Sequence, residues 1–314
     1  MAVKVASEWL NSCSGCEIAI LNLGETLLDV LEQIEFVHMP ALLDHKYFGQ
    51  KGEREIHKLE IPKATVGIIS GGIRNEEHVE VAEAMRRNCD IIVALGTCAT
   101  HGGIPALINQ FSNAALFDRV YRESETTDPH EDPADPVLPV TLDRSYALDE
   151  KIHVDLFLPG CPPHPDWIEE AIRALLEGRA PQLPEKSVCD TCPTIKEGKG
   201  KLKKLHRFTR NAHFDANRPV SAMRCLLEQG LPCMGPVTRA GCAGRNGEAP
   251  QCIRARVPCQ GCYGPVKRDG NQLLDYLNAL ASNQIDLASI IDRSTLLEFS
   301  GAHGLLRSKA VGKQ

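Results

Sequence analysis

ATVGIISGGIRNEEHVEVAEAMRRNCDIIVALGTCATHGG, residues 64 to 103, decides the architecture of the first half of the chain. Its opening seven residues, ATVGIIS, form an unbroken apolar run, as required of a strand covered on both faces in a parallel sheet. NEEHVEVAEAMRRN follows with apolar residues at helical spacing and Asn75 in position to cap the helix. DIIVALG (90–96) then returns to the strand pattern. Outward from this unit the alternation continues. VKVA (3–6) reads as a strand, EIAILNLGETLLDVLEQI carries helical spacing interrupted at Gly24, and IEFVHMPALL reads as a second strand. On the far side VDLFLPG (154–160) is a last strand before HPDWIEEAIRALLEG, a helix with Pro165 in its first turn and Gly178 past its end.

Strands alternating with helices predict an α/β, flavodoxin-like, doubly wound parallel sheet over residues 1–180. The acidic, proline-rich YRESETTDPHEDPADPVLP (121–139) reads as an exposed insertion. Past the linker-like APQLPE the pattern changes, and residues 181–314 form a second, loop-rich domain. Residues 189–262 hold eight of the thirteen cysteines, with many glycines and prolines and few apolar runs. Metal binding is expected to supply the folding energy of such a segment. From Asn271, NQLLDYLNALASNQIDLASII is helical again.

The 314 residues carry a net charge of -6 and 43% hydrophobic residues, so nothing draws the chain as a whole to nucleic acid or an anionic membrane. No stretch reaches the roughly 18 uninterrupted apolar residues of a spanning helix. MAVKVASEWL lacks a charged leader followed by an apolar block, and Arg86 with Arg87 lies too far inside to be a twin-arginine signal. A cytoplasmic chain is expected, and there thirteen thiols point to metal ligation rather than disulfides.

Cys13 and Cys16 follow the first strand, Cys98 the IIVAL strand and Cys161 the VDLFL strand. The carboxyl ends of parallel strands line one crevice, so four thiols distant in sequence are expected to converge there. Gly71 and Gly72, also past a strand, would let the backbone approach a bulky cofactor. Four thiolates suit a [4Fe-4S] cluster or tetrahedral zinc. One pair plus two singles from three strand ends favours the cluster, because zinc ligands usually come as two close pairs on one module. A redox dithiol at CSGC would leave Cys98 and Cys161 without a role. Cys89 reads as a core thiol. The remaining eight, Cys189, Cys192, Cys225, Cys233, Cys242, Cys252, Cys259 and Cys262, make two sets of four in order, for two clusters or two zinc ribbons.

CSGCE, GTCATHGGIPAL, PGCPPHPDWI, CDTCP, GLPCMGPVTRAGC and PCQGCYGP, in that order, resemble the small subunit of [NiFe] hydrogenases, closely the cytoplasmic, F420-non-reducing (methyl-viologen-reducing) type. The 20 kDa subunit of NADH:ubiquinone oxidoreductase is a more distant relative, with adjacent cysteines where this chain has CSGC and no eight-cysteine extension. The resemblance implies three [4Fe-4S] clusters: proximal on Cys13, Cys16, Cys98 and Cys161, medial on Cys242, Cys252, Cys259 and Cys262, and distal on Cys189, Cys192, Cys225 and Cys233. Exported members carry a histidine where this chain has Cys189.

It also implies that the nickel-iron centre sits on a separate large subunit, and that this chain carries electrons from H2 oxidation to a low-potential acceptor. The expected route is an iron-sulfur adaptor leading to heterodisulfide reductase. The small subunit of an NAD(P)- or F420-reducing hydrogenase and a zinc-stabilised binding module without redox function are the alternatives. Glu17 is a candidate proton relay, or else a carboxylate favoured by the positive end of the helix that follows. KEGKGKLKKLHRFTR (196–210) has seven Lys or Arg against one acid and is either a docking site for an acidic redox partner or a solvated surface. With only Phe208 and Phe214 near it, no nucleic-acid partner is expected.

Overall fold

A computed structural model describes residues 2–40, 43, 60–128, 130–136, 138–198, 204–206, 209–247, 249–290 and 292–308. β1 (Val3–Trp9) leads into α1 (Gly15–Leu21) and α2 (Thr26–Leu31), separated around Gly24, and β2 (Ile34–His38) follows. β3 (Ala64–Ser70) passes through β4 (Ile73–Asn75) into α3 (Glu76–Asn88), and β5 (Cys89–Leu95) runs directly into α4 (Gly96–His101). After α5 (Asn113–Phe117) come β6 (Thr141–Tyr146) and β7 (Leu156–Leu158). Five strands form one parallel sheet in the order β2-β1-β3-β5-β7, with Val5 beside Val66, Ala64 beside Cys89 and Val93 beside Leu156. Counting these five alone, the order is the flavodoxin-like 2-1-3-4-5 that the alternation predicts.

α3 forms where the sequence places it because its ends are chemically marked. Asn75 Oδ1 accepts from His78 N at 2.8 Å. Glu76 and Glu77 occupy the positive end and Arg86 and Arg87 the negative one. Val81, Ala82, Ala84 and Met85 face the core, in one cluster with Ile69 and Ile92. Arg86 locks the exit by donating to Cys89 O at 2.6 Å and to Asp155 Oδ2 at 2.5 Å. The antiparallel ribbon of β4 and β6 has no clear signature in the sequence: one strand has three residues, and TLDRSY is mostly polar.

By compactness the chain divides into Met1–Pro159 with Gly301–Gln314, and Gly160–Ser300. The change of sequence pattern comes later, at 180/181. α6 (Pro165–Leu176) goes with the second unit because its start is bonded there. Tyr263 Oη accepts from His164 N at 2.8 Å, Gly241 O accepts from Trp167 Nε1 at 2.8 Å, and Asp166 Oδ2 accepts from Arg245 N at 2.8 Å.

The rest of this unit is loops and short turns, with α7 (Gln251–Arg254) and α8 (Gln272–Ser282) as its other α-helices among the described residues. Beside the folding energy expected from metal, the unit has an apolar core of its own. Leu226, Leu231, Met234, Tyr276 and Leu280 form a hydrophobic cluster that includes Cys233 and Cys259. α8, lying outside the cysteine-rich stretch in sequence, adds Tyr276 and Leu280 to apolar residues that the stretch itself supplies. No helix among the described residues is long and apolar enough to cross a membrane.

Candidate functional site

The parallel sheet puts the carboxyl ends of β1, β3, β5 and β7 on one edge. Cys13 and Cys16 lie just past β1, and Cys98 lies in the first turn of α4, just past β5. β3 separates β1 from β5, so at the usual strand spacing those two ends stand about 10 Å apart. The strand order reverses between β1 and β3, which is where this kind of sheet opens its ligand crevice. Cys13 is exposed, Cys98 half-buried and Cys16 buried.

Pairing continues past the strand ends: Leu10 N donates to Ser70 O at 3.0 Å, and Asn11 exchanges two backbone hydrogen bonds with Gly72, at 3.1 and 3.2 Å. This corrects the role expected for Gly71 and Gly72. A Cβ on Gly71 would stand 2.8 Å from the Asn11 backbone, and one on Gly72 2.9 Å from Tyr146 O. The space these glycines leave admits neighbouring backbone. The glycine that shapes the thiol's surroundings is Gly103, which sequence reasoning missed. Its φ is +54°, and a Cβ there would lie 2.6 Å from Cys98 Sγ.

Glu17, beside Cys16, is buried, and its Oε1 accepts a hydrogen bond from the Ser70 hydroxyl at the end of β3. Its Oε2 has no hydrogen-bond partner among the described residues. Cys89 is a core thiol, pushed up to about 11 by burial.

Cys161 falls at the start of the second unit, in contact with thiols there. The Cys262 thiol is raised by burial and by Cys242, Cys252 and Cys161, while a backbone hydrogen bond from Cys161 pulls it down. Burial raises Cys242, and Cys252 adds to it. A second group surrounds Cys189, pushed up to about 12 by burial and then by Cys233, Cys225 and Cys192, with the Lys196 ammonium opposing. Cys233 is likewise pushed up to about 12, by burial first, with Cys225 and Cys192 adding and the Gly235 and Cys259 amides opposing. Cys259 bridges the groups, raised well up by burial and then by Cys233 and Cys262.

Among the described residues no three or more His, Cys, Asp or Glu close in on a single metal ion. The donor chemistry nonetheless suits a multinuclear metal group. Buried thiols that repel one another as thiolates can all deprotonate only against a compensating cationic centre. Loops of this unit are held by backbone bonds rather than a sheet: Cys225 N to Ile195 O at 2.8 Å, Val188 N to Thr238 O at 2.8 Å, and Met234 N to Cys259 O at 2.9 Å. Of the basic run, Lys196, Lys204 and Arg210 are exposed, and residues 199–203, 207 and 208 lie outside the described residues. Lys196 Nζ donates to Cys189 O at 3.0 Å.

Residues 13–175 match the family described as NADH ubiquinone oxidoreductase, 20 Kd subunit. The chain is 37% identical over 283 residues to a subunit of the F420-non-reducing hydrogenase of Methanothermobacter thermautotrophicus, covering 90% of this chain and 84% of that one. To the iron-sulfur subunit of the F420-non-reducing hydrogenase of Archaeoglobus profundus it is 34% identical over 298 residues, covering 90% and 88%. Among solved structures it is similar to a chain of an NAD+-reducing [NiFe]-hydrogenase in the H2-reduced state, with a TM-score of 0.53 and 33% identity, covering 59% of this chain and 96% of that one. The chain therefore belongs to the family of F420-non-reducing hydrogenase small, iron-sulfur subunits, and is a subunit of an oxidoreductase.

Proposed function

We propose that this chain is the electron-transfer small subunit of a cytoplasmic [NiFe] hydrogenase. It takes electrons from H2 oxidation at the large subunit's nickel-iron centre and passes them through three [4Fe-4S] clusters to a low-potential acceptor, by way of an iron-sulfur adaptor to heterodisulfide reductase. Cys13, Cys16, Cys98 and Cys161 would hold the proximal cluster, Cys242, Cys252, Cys259 and Cys262 the medial one, and Cys189, Cys192, Cys225 and Cys233 the distal one. Each cluster, when bound, supplies a one-electron couple tuned by sulfur hydrogen bonds, burial and charge.

The observation that carries this reading is a junction that occurs twice. Cys161 gives a backbone hydrogen bond to the Cys262 thiol. Cys259 N donates to Cys233 Sγ at 3.3 Å. Each joins a ligand of one proposed set to a ligand of the next through a single peptide N–H. Scattered structural thiols have no reason to repeat this arrangement, whereas a relay needs short bonded paths between its stations. Glu17 is the side chain in the first unit suited to passing a proton: a buried carboxylate next to a ligand, with one oxygen held by Ser70 and the other uncommitted among the described residues.

Metal analysis of the purified chain, freed of its iron-bearing partners, tests the assignment. About twelve irons per chain, three clusters of four, and a brown protein are expected. A colourless protein with stoichiometric zinc ends the electron-relay reading. Gly103→Ala offers a local test, because its Cβ would collide with the Cys98 thiol. Iron is expected to fall toward about eight per chain, with one cluster's signal lost. Full iron content in that variant would remove Cys98 from the ligand set.

A further inference from the structure

Tyr276 is wholly buried in the second unit, at 0% exposure, and its Oη has no hydrogen-bond partner among the described residues. A phenol gives up its bonds to water on folding, so a hydroxyl kept in an apolar core bears that cost in full unless an acceptor meets it. The surroundings narrow the choice. Apart from Tyr276 itself, the buried members of its cluster offer only aliphatic side chains and the sulfurs of Cys233, Cys259, Met223 and Met234, with Cys192 and Cys225 packed against them. α8 carries Gln272, Tyr276 and Leu280 on its buried face and packs on the turn Gly235–Val237. Gln272 is bonded at both ends of its amide: Nε2 donates to Gly261 O at 3.3 Å and to Thr238 Oγ1 at 3.1 Å, and Oε1 accepts from Ser300 Oγ at 2.9 Å. One helical turn further on, the Tyr276 hydroxyl has nothing of the kind. The turn beneath α8 begins at Gly235, where a Cβ would lie 3.1 Å from Cys189 Sγ and 3.5 Å from Cys233 Sγ. Both sulfurs therefore border the turn on which the helix of Tyr276 rests.

We infer that the Tyr276 hydroxyl donates a hydrogen bond to the iron-sulfur cluster held by Cys189, Cys192, Cys225 and Cys233 and raises its reduction potential, a role that rests on those four being ligands as proposed above. Sulfides and iron-bound thiolates can only accept, so a cluster there supplies the acceptor that the phenol lacks. Burial first, and then Cys233, Cys259 and Cys189, raise the pKa of the phenol, so it keeps its proton and meets sulfur as a donor. This set is favoured over the one containing Cys259 because Gly235 borders Cys189 and Cys233 together. The reduced cluster carries one more negative charge than the oxidised one. A donor aimed at its sulfur stabilises the reduced state more and moves the potential upward. Because the site is dry, with Cys233 6% exposed, solvent neither competes for the bond nor screens it. A purely packing role would be filled by phenylalanine, which has the same ring and no oxygen to desolvate.

The test is a redox titration of the purified full chain, freed of its iron-bearing partners and followed by electron paramagnetic resonance. Cys192→Ala identifies the signal of this cluster by removing it. In Tyr276→Phe the midpoint of that signal is expected to move to more negative potential, with the other two midpoints and the iron content unchanged. Fluorotyrosine in place of Tyr276 is a more acidic donor of nearly the same shape, and should move the same midpoint the opposite way. An unmoved midpoint in iron-replete Tyr276→Phe overturns the inference, since the hydroxyl would then rest on water or on nothing. So does a shift confined to another cluster. Should the phenylalanine variant lose iron, the fluorotyrosine protein decides, an upward shift supporting the inference and an unmoved midpoint overturning it. The ligand reading fails separately, and takes the inference with it, if Cys192→Ala leaves all three signals in place.

Discussion

In Cys98→Ala, iron is expected to fall from about twelve to about eight per chain, and one of three cluster signals to vanish while two persist. Cys98 sits in α4 at the end of β5, in a unit with its own core of sheet and α3 residues. The eight cysteines from Cys189 to Cys262 belong to the other compact unit, around a separate hydrophobic cluster. Removing one of four thiolates strips a cluster of an iron ligand without disturbing thiols elsewhere. H2-dependent reduction of external acceptors should stop, because the proposed entry point is gone, while a chemical reductant still reduces the other two centres. Iron analysis and electron paramagnetic spectra of the variant check both halves of the expectation. Loss of all three signals together would argue against an independent first site.

Leu280→Ala is expected to destabilise the second unit by about 2–5 kcal/mol, the usual cost of emptying a fully buried leucine site. Leu280 belongs to the cluster that contains Leu226, Leu231, Tyr276 and the two thiol residues Cys233 and Cys259. Loosening it shifts the framework that holds those sulfurs, so iron from the two second-unit sites should be released at lower temperature than in the wild type. The sheet of the first unit, which has its own core, should unfold at its normal temperature. Thermal unfolding monitored by iron release into a chelator separates the two. Unchanged release would mean that metal binding alone carries this unit's stability, as its sequence composition suggests.

The sheet was legible because burial on both faces leaves an unmistakable mark: ATVGIIS and DIIVALG have no polar face to offer. One cap was legible too, since Asn75 accepts from the amide that capping requires, His78 N. The β4–β6 ribbon was not, because three residues cannot display a period. Nor was the short helix α4, which begins without a break at the end of β5. Pairs of cysteines three apart are visible to any scan, and taking the thiols in order sets Cys189 with Cys225 and Cys233, but the bonds that join those distant segments, Cys225 to Ile195 and Val188 to Thr238, leave no mark in the sequence. Gly103 escaped notice because its meaning lies in a thiol five residues back, across a turn.

The segment from Gly301 belongs to the first unit, with Ala302 N donating to His101 O at the end of α4 at 3.1 Å and His303 reaching Asp149 at 2.8 Å. A ribosome releases that segment only after the whole of Gly160–Ser300 has been made. The helix bearing Cys98 is thus left without its last brace throughout most of translation. Order of synthesis and order of completion are opposed: the half made first is finished last.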